Sequence, residues 1–167
     1  VNGEMNRHLV QLAIAALDPQ PDEEVLDLFS GLGNFTLPLA RRSRSVVGVE
    51  GEAGLVARAR QNAADNGIAN ASFEPANLFD EKQHGPWAKR QYARILLDPP
   101  RAGAREVIAQ FPRFAARRIV YVSCHPATLA RDARLLVDQG WRLSQAGVLD
   151  MFPHTAHVES MAIFDQE

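Results

Sequence analysis

Met5, Leu9, Leu12, Ala13 and Ala16 recur at helical spacing and Pro19 and Pro21 end the pattern, which predicts an amphipathic helix near the start of the chain. Residues 25–29 form a short apolar run interrupted by Asp27, followed by Ser30-Gly31-Leu32-Gly33-Asn34 and a helical stretch over residues 35–42. This order reads as strand, glycine turn and helix. A β-rich run at 45–50 precedes an alanine-rich helix at 52–66, closed by Gly67 in the C′ position that favours glycine. Further strands are predicted at 71–74, 94–98 and 118–123, with helices near 104–110 and 127–138. Alternation of this kind implies a parallel sheet. Two final runs, 141–149 and 158–164, are separated by a short loop and predict a closing antiparallel hairpin. Residues 83–90, with Gly85-Pro86, predict a mobile loop.

The 167 residues are 46% hydrophobic and 23% charged, proportions of a folded globular protein with a sizeable core, and the length suits one domain over residues 1–167. No apolar run approaches the roughly 18 residues of a membrane span, and no signal-like segment opens the chain, so a cytoplasmic location with no membrane partner is expected. The formal charge is −2, but residues 101–142 carry eight arginines against three acidic residues, a local +5. That stretch is a candidate phosphate-contacting surface.

Gly31 and Gly33 lie where the first strand gives way to a helix, the edge at which open α/β sheets bind nucleotide-like ligands. Thr36 stands where the dinucleotide fingerprint has its third glycine, which weakens a pyrophosphate reading. Glu50 ends the second strand 19 residues after Gly31 and suits the hydroxyls of a ribose, common to NAD and S-adenosylmethionine. Asp98, in Asp98-Pro99-Pro100-Arg101, follows the apolar run 95–97 and emerges at the same edge, on backbone stiffened by proline.

Cys124 is the single cysteine, so it forms no internal disulfide and no multi-cysteine metal site. It sits at a strand end just before a helix whose first turn accommodates Pro126, a placement that favours a thiolate nucleophile over an inert core thiol. His154 and His157 lie three apart in a proline-containing loop without a helical His-Glu-x-x-His pattern, so no metal is expected. Glu159 begins the last apolar strand, where partial desolvation would poise it as a general base.

Four segments, residues 27–38, 98–101, 123–132 and 150–155, together closely resemble the bacterial RNA uracil-5-methyltransferases, and within them the enzymes acting on 23S ribosomal RNA rather than transfer RNA. The resemblance implies a Rossmann-like, class I S-adenosylmethionine-dependent methyltransferase with a mostly parallel seven-stranded sheet. It implies Cys124 as nucleophile, Glu159 as base, Phe29, Asn34, Glu50, Asn77 and Asp98 as residues that hold S-adenosylmethionine, and an RNA substrate whose flanking phosphates meet arginines around the cleft, Arg101 and Arg131 first. Ser30 stands where such enzymes commonly have a cysteine, and His125 where they have an asparagine. Family members also carry an RNA-binding TRAM domain and, in this branch, a cysteine-ligated iron–sulfur cluster. Neither is expected in these 167 residues, which read as a catalytic domain cut from a longer protein.

Overall fold

The computed structural model describes residues 3–82, 85–150 and 158–166. The chain runs α1 (Gly3–Leu17), β1 (Glu24–Leu28), α2 (Thr36–Ala40), β2 (Ser45–Glu50), α3 (Ala53–Asp65), β3 (Ala71–Pro75), β4 (Arg94–Leu97), α4 (Arg105–Ile108), β5 (Arg118–Ser123), α5 (Pro126–Asp138), β6 (Arg142–Asp150) and β7 (Val158–Asp165). Seven strands form one sheet in the order β3-β2-β1-β4-β5-β7-β6. The first five are parallel; β7 enters antiparallel between β5 and β6. A closing hairpin was predicted, and the structure adds that its second strand is the inner one.

The central strands are buried on both faces, which is why they read as nearly continuous apolar runs. Leu26, Leu28, Val47, Val49, Ile95, Leu97, Ile119 and Tyr121 point into one layer, with α4, α5 and an aromatic group of Trp87, Tyr92, Phe111 and Phe114. Val25, Val46, Leu96, Val120 and Val122 point the other way, onto α1 and α2. This alternation is the period of two that a strand imposes.

Two arginines fix α1 to the sheet. Arg94 and Arg118 are register partners at the starts of β4 and β5, and their Nη1 groups donate to the terminal helix carbonyls of Leu17 and Ala16, each at 2.9 Å. Each is held in turn by a carboxylate, Glu23 at 2.8 Å and Asp165 at 2.7 Å. Cations beside carbonyls that have no intrahelical partner are favoured by the helix dipole.

The predicted helix near 104–110 is shorter, Arg105–Ile108, and a 3₁₀ turn, Phe111–Phe114, follows it. Within the predicted mobile loop, Pro86–Lys89 is likewise a 3₁₀ turn with Trp87 and Ala88 buried; Gln83 and His84 lie outside the described residues. Both turns carry proline in their first positions and are anchored by aromatic burial, not by helical periodicity. Among the described residues no helix is long and apolar enough to cross a membrane.

Phe114 is fully buried, with ring centroids 5.6–6.1 Å from those of Tyr92, Trp87 and Phe111. Phe114→Ala is expected to lower unfolding free energy in urea by about 3–5 kcal/mol. Leu143→Ala, on the exposed edge strand, should stay within about 0.5 kcal/mol. A loss below about 1 kcal/mol for Phe114→Ala would remove the aromatic group from the account of this layer.

Candidate active site

In the strand order, β1 is followed in sequence by β2 on one side and flanked by β4 on the other, so a crevice opens beyond their carboxyl ends. That edge holds a cavity of about 550 Å3. Phe29, Glu50, Asn77, Asp98, Cys124 and Glu159, six sequence candidates from separate segments, line it together. Gly51, Glu52, Leu78 and Phe79, which no motif distinguishes, and Pro99 and Pro100 complete the wall.

Glu50 ends β2, and both its carboxylate oxygens are engaged: Oε2 accepts from the Gly31 N–H at 3.0 Å and Oε1 from the Glu52 N–H at 3.2 Å. The carboxylate thereby ties the glycine loop to the start of α3. Phe29 leaves β1 at φ +61°, an uncommon conformation for a residue with a side chain, and its ring packs on Phe79 with centroids 5.8 Å apart. Gly33 has φ +90°, and a Cβ there would stand 3.3 Å from the Phe73 ring, so the loop both turns left-handed and passes close to β3.

Asp27 lies beneath this loop, fully buried, and accepts a hydrogen bond from Thr36 Oγ1 at 2.5 Å. Burial pushes its pKa up to about 7 against that bond, and the negative charges of Asp98 and Glu50 push the same way. Asp98 follows β4 directly and is also raised to about 7, by burial and by the charge of Glu159. Glu159 is half-buried, its pKa is raised by desolvation, and its Oε2 is buried with no hydrogen-bond partner among the described residues. Asp98 and Glu159 thus meet in the cavity as carboxylates whose ionisation burial opposes.

Cys124 comes one residue after β5 and is exposed. The register Ser123↔Ser160 between antiparallel β5 and β7 brings the neighbouring positions, Cys124 and Glu159, alongside each other at the cavity. His125 caps α5, its side chain accepting from the Thr128 N–H at 3.3 Å, and Ser123 Oγ accepts from the His125 N–H at 3.0 Å. The turn that bears the thiol is thus closed on both sides.

Other candidates lie elsewhere. Gly31 and Gly33 shape the loop but do not line this cavity, and Asn34 faces α1, exchanging amide hydrogen bonds with Asn6 at 3.1 Å. Arg101 is exposed and next to the cavity-lining Pro100; Arg131 is also exposed, while its Nη2 donates to the Ala102 carbonyl at 2.8 Å and to Asp132 Oδ1 at 2.9 Å. The arginine-rich stretch does not form one surface. Arg118, Arg142 and Arg117 lie at the opposite edge of the sheet, where β5 and β6 begin, because a strand carries sequence neighbours across the molecule. His154 and His157, and the 150–155 segment beyond the backbone of Asp150, lie outside the described residues.

A model of the family described as tRNA (Uracil-5-)-methyltransferase matches residues 1–167. The chain belongs to this family. It is 59% identical, over 99% of its length, to proteins of Stenotrophomonas maltophilia and Methylococcus capsulatus, each named 23S rRNA (uracil(1939)-C(5))-methyltransferase RlmD. It spans 38% of the length of these curated relatives. The crystal structure of Pyrococcus abyssi tRNA (uracil-54, C5)-methyltransferase in complex with S-adenosyl-L-homocysteine superposes with a TM-score of 0.77 at 34% identity, covering 94% of this chain and 38% of that one. The Rossmann-like methyltransferase fold expected from the motifs is thus the fold of this uracil-5-methyltransferase family chain.

The buried carboxylates make a pH signature. Asp27 ionises less readily in the folded chain than in the unfolded one, so between about pH 4 and 7 the folded state holds the extra proton and stability falls as pH rises. Asp27→Asn keeps an acceptor for Thr36 without the charge. Its stability relative to wild type, measured in urea without ligand, should improve by about 1–3 kcal/mol between pH 5 and pH 8. A difference that stays constant or shrinks over that range would contradict the buried-charge account.

Proposed function

We propose that this chain carries the site that methylates carbon 5 of a uridine in RNA, with S-adenosylmethionine as methyl donor and, by kinship with the relatives above, 23S ribosomal RNA as substrate. The observation that carries the reading is the meeting of Cys124 and Glu159 in one carboxylate-lined cavity.

The cavity suits the donor on three counts. Its volume is that of a small-molecule site. Among the described residues its charged lining, Glu50, Glu52, Asp98 and Glu159, is acidic, which favours a ligand bearing a sulfonium and an ammonium and disfavours the anionic pyrophosphate of NAD. The Phe29–Phe79 wall offers aromatic faces to a purine. Phe29, Glu50, Asn77 and Asp98 would hold the group, Glu50 through its remaining lone pairs to ribose hydroxyls while Gly31 and Gly33 keep the loop close. When bound, S-adenosylmethionine supplies the electrophilic methyl group.

Carbon 5 of uracil is a weak nucleophile on its own. Addition of the Cys124 thiolate to carbon 6 makes an enolate with electron density at carbon 5, the atom that becomes methylated. Glu159 then removes the proton left on carbon 5, and elimination across the 5,6 bond returns the thiolate. A carboxylate with a raised pKa and an unpartnered buried oxygen is the stronger base for that step. A stacked uridine cannot reach the cavity, so the nucleotide is flipped out, with Arg101 at the rim to contact a flanking phosphate.

Two variants test the assignment. Cys124→Ala should bind S-adenosylhomocysteine within about threefold of wild type in calorimetry and transfer no methyl group to unmodified 23S rRNA. Turnover at the normal rate would eliminate the nucleophile. Glu159→Gln should complete methylation but stall before elimination, leaving a protein–RNA adduct that survives denaturing electrophoresis; free 5-methyluridine at the wild-type rate would refute the base.

A further inference from the structure

The loop after β4 carries Asp98 and Arg101 past the cavity, and each of its last four residues is held by the same face of α5. Thr128 Oγ1 donates to the Arg101 carbonyl at 2.8 Å. Arg131 Nη2 donates to the Ala102 carbonyl at 2.8 Å. Gly103 has φ +82°, and a Cβ there would stand 2.5 Å from Arg131 Nη2 and 2.6 Å from Asp132 Oδ2, so its backbone packs directly on the helix. The Ala104 N–H donates to Asp132 Oδ2 at 2.8 Å. Residues 128, 131 and 132 share one helix face by their spacing.

Asp132 is fully buried and every lone-pair direction is used: Oδ2 also accepts from the Tyr121 hydroxyl at 2.6 Å, and Oδ1 from Arg131 Nε and Nη2 at 3.1 and 2.9 Å. A charge so placed persists only when paired and hydrogen-bonded. At its other end the network reaches the turn that bears Cys124. Thr128 Oγ1 lies 2.6 Å from His125 Nδ1, and Ser123 Oγ closes the turn around Cys124.

We infer that Thr128, Arg131 and Asp132 are positioning residues that clamp the 98–104 loop to the turn bearing Cys124, so that both walls of the cavity move as one body and Arg101 is presented at a fixed place beside the thiol. This rests on the methyltransferase reading above. Arg131, by this assignment, acts on the loop carbonyl.

Removing Asp132 would leave a buried network unpaired and endanger folding, so Thr128 is the better probe. Thr128→Val keeps shape and removes the hydroxyl; Thr128→Ser restores it. Three quantities are read in the 167-residue chain: amide hydrogen exchange at Gly103 and Ala104, S-adenosylhomocysteine affinity, and kcat for methyl transfer to unmodified 23S rRNA. Thr128→Val is expected to speed exchange at both amides by about tenfold and to lower kcat by about tenfold, with affinity within about twofold of wild type, and Thr128→Ser to recover most of both losses. A wild-type kcat in Thr128→Val overturns the positioning role, even where its melting temperature falls. A wild-type chain that neither binds S-adenosylhomocysteine nor methylates RNA overturns the functional reading instead, and the exchange rates in Thr128→Val still decide whether α5 holds the loop.

Discussion

Negative charge crowded into a half-buried crevice is the constraint around which this molecule is arranged. Asp27, Glu50, Asp98 and Glu159 come from four strands, and the sheet order brings all four to one edge. Burial and mutual repulsion lift Asp27 and Asp98 to about 7, well above ordinary carboxylates. For Asp27 and Asp98 folding gains nothing from the charge itself, which would be better solvated elsewhere. Local strain of this kind is tolerated where the surrounding structure fixes it and where a ligand relieves it. A cationic methyl donor is such a ligand, and its binding would draw protons off the same groups.

The supporting structure follows from that load. Glu50 uses both oxygens to hold the glycine loop and the start of α3. Thr36 reaches Asp27 from α2, and Pro99 and Pro100 stiffen the backbone after Asp98. On the far side, α5 fastens the loop after β4 to the cysteine turn. At the opposite edge of the sheet Arg94 and Arg118 secure α1, each paired with a carboxylate, Glu23 or Asp165. There Glu23, Glu24 and Asp165 are matched by arginines, two of which, Arg94 and Arg118, also reach helix carbonyls that need donors.

Much of this was legible from the chain alone, because period-two runs, glycine turns and strand-end carboxylates are local signals. Glu50, Asp98 and Cys124 each stand where an apolar run stops, which in a parallel sheet is the ligand edge. What escaped is what depends on distant partners. Asn34 bonds Asn6 across 28 residues, and Arg131 bonds a loop carbonyl 29 residues earlier. The excess of arginine between 101 and 142 suggests a phosphate surface only while the stretch is read as a line. Folding places Arg118 and Arg142 a full strand length from Arg101. The two 3₁₀ turns escaped for a different reason: their order comes from burying Trp87, Phe111 and Phe114, and no periodicity announces it.

The central claim is that Cys124 attacks uracil inside a cavity that also holds the methyl donor. The most direct measurement is intact mass after mixing the chain with S-adenosylmethionine and an RNA carrying 5-fluorouridine at the target position, where fluorine blocks the final proton loss. The account predicts a species heavier by the RNA plus one methyl group, attached at Cys124 and absent from Cys124→Ala. Methylated RNA released without any such species, or an equal adduct in Cys124→Ala, would contradict it.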